Sequence, residues 1–120
     1  MSGDKPAMDP DTGRLTLALP YRDRYARMPA VGDYHGGVLA ALLDVAGTFC
    51  AALAAGGPAA TANMRTDYLR PPIKVDLLAT ARIVRAGRSL IVCDVEAADA
   101  SGRQYAVARG SWMPVPTRGA

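Results

Sequence analysis

The sequence predicts an α+β domain in which a curved antiparallel β-sheet wraps one long buried helix. The first observation is the segment 38–55, which is apolar nearly throughout and stands between Gly36-Gly37 and Gly56-Gly57-Pro58. The second is the strand-like stretches that follow it, separated by turn residues and prolines, with one more alternating stretch ahead of it. A helix without a polar face has to be covered on most sides, and a concave sheet aided by a second copy of the chain can do so.

Residues 1–13 read as a flexible N-terminal arm, 14–113 as the domain and 114–120 as a C-terminal tail. Arg14-Leu15-Thr16-Leu17-Ala18-Leu19 alternates with period two and reads as a strand that Pro20 ends. Residues 21–34 mix Pro29 and Gly32 with charges and aromatics, a structured loop with room for a helical turn. Strands are expected over 60–69, 77–84, 90–97 and 105–113, the first stopped by Pro71-Pro72. The links 85–89 and 98–102 carry Gly87 and Gly102, so the last strands should form consecutive hairpins.

Composition narrows the function classes. With 120 residues, 50% apolar and 21% charged, the chain has the balance of one folded domain. Its formal charge of +3 comes from scattered arginines with no basic run, so no nucleic-acid partner is expected, whereas a small anionic ligand fits. Cys50 and Cys93 sit in apolar stretches without metal-ligand spacing and read as buried free thiols in a reducing, cytoplasmic setting. No metal and no cofactor are expected. The polar stretch 1–14, with Pro6 and Pro10, does not read as a signal segment. Segment 38–55 is long enough to span a membrane, but a central Asp costs about 2.5–3.5 kcal/mol there, so a buried helix is expected and no membrane contact.

Asp44 is the one charged residue in that segment. An isolated carboxylate in apolar surroundings needs polar partners, and such groups cluster at functional sites. The structural alternative is an acid bonded to backbone or to Thr48, one turn on. Ahead of it, the unpaired N–H groups of the helix start, helped by the dipole, can stabilise negative charge on a carbonyl oxygen, and Gly36 and Gly37 allow close approach. Asp44 could then act as base for a bound water or as nucleophile. It lies seven residues beyond Gly37, about 10 Å at ~1.5 Å per residue, so one carbonyl cannot use both from a single chain.

The turn His35-Gly36-Gly37, Asp44 nine positions after the histidine, and Tyr68-Leu69-Arg70-Pro71 resemble the hotdog-fold acyl-CoA thioesterases, specifically the phenylacetate-pathway (PaaI-like) group. The links 84–89 and 99–103 also look like this family's. The resemblance covers roughly residues 14–113. It implies the hotdog fold and an acyl-CoA thioesterase acting on a medium-chain or aryl acyl group, with coenzyme A as part of the substrate. It puts the catalytic acid on Asp44, the oxyanion-binding amide on Gly36 or Gly37, the turn histidine on His35 and a water-placing hydroxyl on Thr61.

The resemblance further implies a homodimer, often a dimer of dimers, in which the acid of one subunit works with the glycine turn of its neighbour and coenzyme A lies along the interface. Arg70, Arg85 and Arg88, at strand ends, are the candidates for its phosphates. Where relatives carry Asn or Gln shortly before the glycine turn, this chain has Met28 and Pro29. A non-catalytic module that binds acyl-CoA or a partner is the competing expectation.

Overall fold

Leu15, Leu17 and Leu19 bury one face of a short strand while Thr16 and Ala18 stay half-exposed, the period-two pattern of a sheet with one covered side. The computed structural model describes residues 6–9 and 12–116. In chain order the elements are β1 (Ala7–Met8), β2 (Leu15–Leu19), a 3-10 turn (Asp23–Tyr25), β3 (Ala26–Met28), β4 (Asp33–Tyr34), α1 (Gly36–Ala55), β5 (Ala59–Tyr68), β6 (Leu77–Ala86), β7 (Ile91–Ala98) and β8 (Gln104–Pro114).

The main sheet is antiparallel throughout, in the order β1-β2-β6-β7-β8-β5. Helix α1 packs against β2, β5, β6, β7 and β8, so the expected fold class, an α+β hotdog, is the observed one. Leu39, Leu42, Leu43, Ala46, Cys50 and Ala51 face the sheet, where Ala79, Ala81, Cys93, Val95 and Trp112 meet them. Cys50 and Cys93 are free and fully buried in this core, and the Cys93 thiol is pushed up by its hydrogen bond to Cys50 and by burial. The helix is long and apolar enough to cross a membrane by length and composition alone, yet it is the core helix of this sheet.

Some expectations shift. The helix begins at Gly36 rather than 38, because Val38 N already donates to His35 O at 3.0 Å, and it ends at Gly56, whose φ of 73° closes it. A helix buried on all sides is not what one chain forms, since Ala41, Phe49 and Leu53 remain exposed on the face away from the sheet. Within 1–13, Ala7 and Met8 pair with Thr16 and Leu15; residues 1–5, 10 and 11 lie outside the described residues. Pro114 completes β8 opposite Ala59, and of the expected tail 117–120 lie outside the described residues. The loop 21–34 contains the helical turn and also a β3–β4 hairpin, which the sequence reading did not include.

Two details of the sheet position the site. Strand β5 is an edge strand, and its pairing with β8 shifts register between Thr61 and Asn63, a bulge at Ala62. On the outer face Arg65, Arg109, Asp94 and Arg82 stand side by side across four strands, with Asp94 bonded to both Arg82 and Arg109. The Arg109 guanidinium lowers the Asp94 carboxyl below the usual carboxylate range.

Candidate active site

The helix start is held from below by the β3–β4 hairpin. Asp33, buried, accepts from Arg27 Nε at 2.8 Å and from Met28 N at 3.3 Å, which closes the turn; the Arg27 bond holds its carboxyl low. Tyr34 donates its hydroxyl to Val75 O at 2.6 Å, and its ring meets Tyr21 edge-on. His35 N then donates to Tyr25 O at 2.9 Å, so the chain enters α1 on a fixed path. His35 itself is exposed, with an extended backbone and no capping bond from its side chain. Met28 and Pro29 are exposed in the hairpin.

Gly36 and Gly37 open the helix, where amides have no intrahelical acceptor. An added Cβ at Gly37 would meet nothing within 4 Å, whereas one at Gly36 would lie 3.4 Å from the Tyr68 ring. The Tyr68 hydroxyl donates to Gly36 O at 2.8 Å. Beside this turn is a cavity of about 320 Å³ whose walls include Tyr34, Gly36, Leu39, Tyr68, Arg70 and Pro72.

Asp44 is half-buried on α1. Thr61 Oγ1, reaching over from β5, donates to Asp44 Oδ1 at 2.6 Å. Asp44 Oδ2 takes no hydrogen bond from the described residues, so one oxygen is anchored and one is free. The turn beneath is braced as well. Thr48 Oγ1 donates to Asp44 O at 2.7 Å and accepts from Trp112 Nε1 at 2.9 Å. The Trp112 indole is completely buried in a notch made by Gly47 and Gly110, where an added Cβ would fall 2.2 Å and 2.7 Å from ring carbons.

The structure therefore brings Asp44 and Thr61 together, and separately Gly36, Tyr68 and Arg70. Arg85 lies near the end of β6, paired with Val92, and Arg88 lines a cavity with Ala54, Ala55 and Pro114 by the helix C-terminus. Both stand at the opposite end of α1 from the glycine turn, so a single chain does not gather the three arginines. Among the described residues no three His, Cys, Asp or Glu side chains come together as a metal cluster. Sequence reasoning assigned no role to the Tyr68 hydroxyl or to Trp112. The signal for the tyrosine was its place at the end of the strand that carries Thr61; for the tryptophan, nothing in local spacing points to Gly47.

The arrangement, a carboxylate with one free oxygen and a helix start with open amides, suits acyl transfer to water. Comparison with known proteins agrees. The family model described as "Thioesterase superfamily" matches residues 31–106. A Halobacterium salinarum protein provisionally named an esterase is 35% identical over 115 residues, spanning 87% of this chain and 76% of its own. A solved structure from the thioesterase superfamily superposes with a TM-score of 0.84 at 27% identity, covering 92% of this chain and 83% of the other. A Ralstonia eutropha structure described as a thioesterase candidate related to phenylacetic acid degradation gives 0.80 at 27% identity, with the same coverages of 92% and 83%. Fold and matched region together make this chain a member of the thioesterase superfamily of thioester hydrolases, with the hotdog fold.

Proposed function

We propose that the protein hydrolyses an acyl-CoA thioester with a medium-chain or aryl acyl group, releasing the free acid and coenzyme A. The observation that carries this reading is Asp44, anchored through Oδ1 by Thr61 with Oδ2 free. As base, Asp44 takes a proton from water while the water oxygen bonds to the thioester carbon; as nucleophile, it forms an anhydride that water then opens. In both routes the carbonyl electrons move onto oxygen, which the helix-start amides receive. The C–S bond then breaks; in the base route the proton that Asp44 took goes to the leaving thiolate, and in the nucleophile route the thiolate leaves as the anhydride forms and takes its proton from the water that opens the anhydride and frees the Asp44 carboxylate. His35 positions the turn. The reaction calls on no metal or cofactor, coenzyme A being part of the substrate.

Asp44 and the glycine turn lie about 10 Å apart along α1, so the two act on one carbonyl as parts of different subunits. The uncovered features of a single chain support such a dimer, or a dimer of dimers. Among the described residues strand β5 is paired on one side only, and Phe49, Leu53, Tyr68 and Leu69 are exposed around it and on α1. Arg70 stands at the glycine turn, and Arg85 and Arg88 can join it on the phosphates only from another subunit. The setting we infer is cytoplasmic, without a nucleic-acid or membrane partner.

The test is thiol release from short, medium, long and aryl acyl-CoAs by the wild type and Asp44→Asn. Release that collapses in the variant supports the reading. Release undiminished in the variant removes Asp44 from the mechanism, and no release from any substrate returns the protein to a non-catalytic acyl-CoA-binding or partner-binding module.

A further inference from the structure

Thr61 is open to solvent, so its bond to the Asp44 carboxylate forms where water competes for both partners. A single exposed contact of that kind does not hold a side chain by itself. The main chain of Asp44 is held from a drier side. Thr48, one turn on, gives its hydroxyl to the Asp44 carbonyl rather than to the carboxylate, and the same hydroxyl accepts from the indole N–H of Trp112. A threonine bonded back to the carbonyl four residues earlier bends its helix locally, so the direction of the Asp44 turn depends on where that hydroxyl is pinned. Trp112 is completely buried, and a hydrogen bond shielded from water is stronger and stiffer than one at the surface.

The two arms meet in the sheet. Thr61 on β5 is the register partner of Trp112 on β8. A circuit therefore closes from the Asp44 carboxylate through Thr61, across the β5–β8 ladder to Trp112, through Thr48 and back to the Asp44 carbonyl. The indole is also the spacer of this circuit. Its ring lies against Gly47 of α1 and Gly110 of β8, at positions where an added Cβ would collide with it. How deep the ring sits sets the gap between the helix and the β5–β8 edge, and Thr61 Oγ1 has to cross that gap to reach Asp44 Oδ1.

We propose that Trp112 and Thr48 are positioning residues for Asp44, fixing its helical turn and the distance to β5 so that the carboxylate keeps the one rotamer in which Thr61 holds it. Both act through Asp44 and not on the substrate. The effect on turnover rests on the thioesterase reading; the link from Thr48 to the Asp44 side chain does not.

The variant to make is Thr48→Val, which keeps the β-branched shape and removes both bonds. Thr48→Ser, which keeps the hydroxyl, is the rescue, and Thr48→Ala takes the place of the valine variant if that one does not fold. The Hα–Hβ couplings of Asp44 report whether its side chain holds one rotamer, and the indole N–H resonance of the single tryptophan reports the bond to Thr48. In Thr48→Val the couplings should average, the indole resonance should move upfield, and kcat should fall about tenfold with KM little changed, the scale of a misplaced reacting group. Thr48→Ser should keep all of these near wild type. Asp44 couplings already averaged in the wild type, or unaltered in the folded variant, overturn the proposal whatever the activity. Averaged couplings with unchanged kcat, or a loss that serine does not restore, overturn the role in turnover. A wild type that hydrolyses nothing sinks the thioesterase reading, while the couplings still decide the link from Thr48 to Asp44.

Discussion

Thr61 and Asp44 meet across the gap between the edge strand and the central helix, with Thr61 Oγ1 donating to Asp44 Oδ1 over 2.6 Å. The bond spans seventeen residues of sequence and ties the only charged residue of α1 to β5. It engages one carboxylate oxygen and leaves the other without a partner among the described residues, the oxygen on which the proposed mechanism draws.

Thr61→Val keeps the β-branched shape and removes the donor. We expect kcat to fall about tenfold, the scale of a lost positioning contact, with the melting temperature little changed. In an Asp44→Asn background the same change should add almost nothing, a non-additivity that a double-mutant cycle of kcat reads directly.

Gly47→Ala puts a methyl 2.2 Å from a Trp112 ring carbon, and the buried indole has no room to retreat. Overpacking of this kind costs about 1–3 kcal/mol. Gly37→Ala, with open space around it, should leave stability unchanged or raised by up to ~1 kcal/mol through helix propensity, and under the proposed mechanism should lower kcat/KM by adding a methyl at the helix start that is to receive the carbonyl. Urea unfolding followed by the fluorescence of the single tryptophan separates the two variants.

Acid should loosen the β7–β8 turn. The Asp99 carboxyl accepts from Ser101 N, Ser101 Oγ, Arg103 N and the Tyr105 hydroxyl, and the Ser101 and Tyr105 bonds hold its pKa down to about 2. A folded pKa below the unfolded one stabilises above the unfolded value, so this contribution is complete above pH ~5 and is lost as pH falls from ~4 to ~2. Asp99→Asn should flatten that part of the stability profile measured by thermal melts between pH 2 and 6.

Leu53 is 58% exposed on the helix face that none of the described strands covers. Leu53→Asp should therefore leave the protomer folded and shift the sedimentation coefficient toward that of a monomer. If each site draws on two subunits, thiol release should fall with the fraction of monomer as the protein is diluted; full activity in a demonstrated monomer would show that one chain suffices.

Much of this was legible in the sequence because it is local. The alternation of Leu15, Leu17 and Leu19, the apolar run of α1 broken only by Asp44 and Thr48, and the glycines of the hairpins each fix an element within a few residues. The β3–β4 hairpin was not legible, since it is held by Asp33 bonding back to Arg27 and Met28 in a stretch with no alternating pattern. Family resemblance put Asp44 and Thr61 in one site, the threonine as a water-placing hydroxyl, without a bond between them; the fold supplies that bond. The Tyr68–Gly36 bond depends on a bulge, and a bulge leaves little mark in composition. Trp112 fills a notch made by glycines on two distant elements, which only the packed structure brings together.

The extra residue at Ala62 gives β5 two reading frames. Ala59 and Thr61 are read toward the helix in one, Met64, Thr66 and Tyr68 in the other. Without the phase change, a strand that kept Thr61 inward would turn Asn63, Arg65 and Asp67 inward with it and send Met64 and Tyr68 to the outside. Chain length, more than the identity of any side chain, thus keeps charge off the core at this edge. Loss of one residue here would act as a frameshift within a single strand, able to satisfy one end of the helix or the other, but not both.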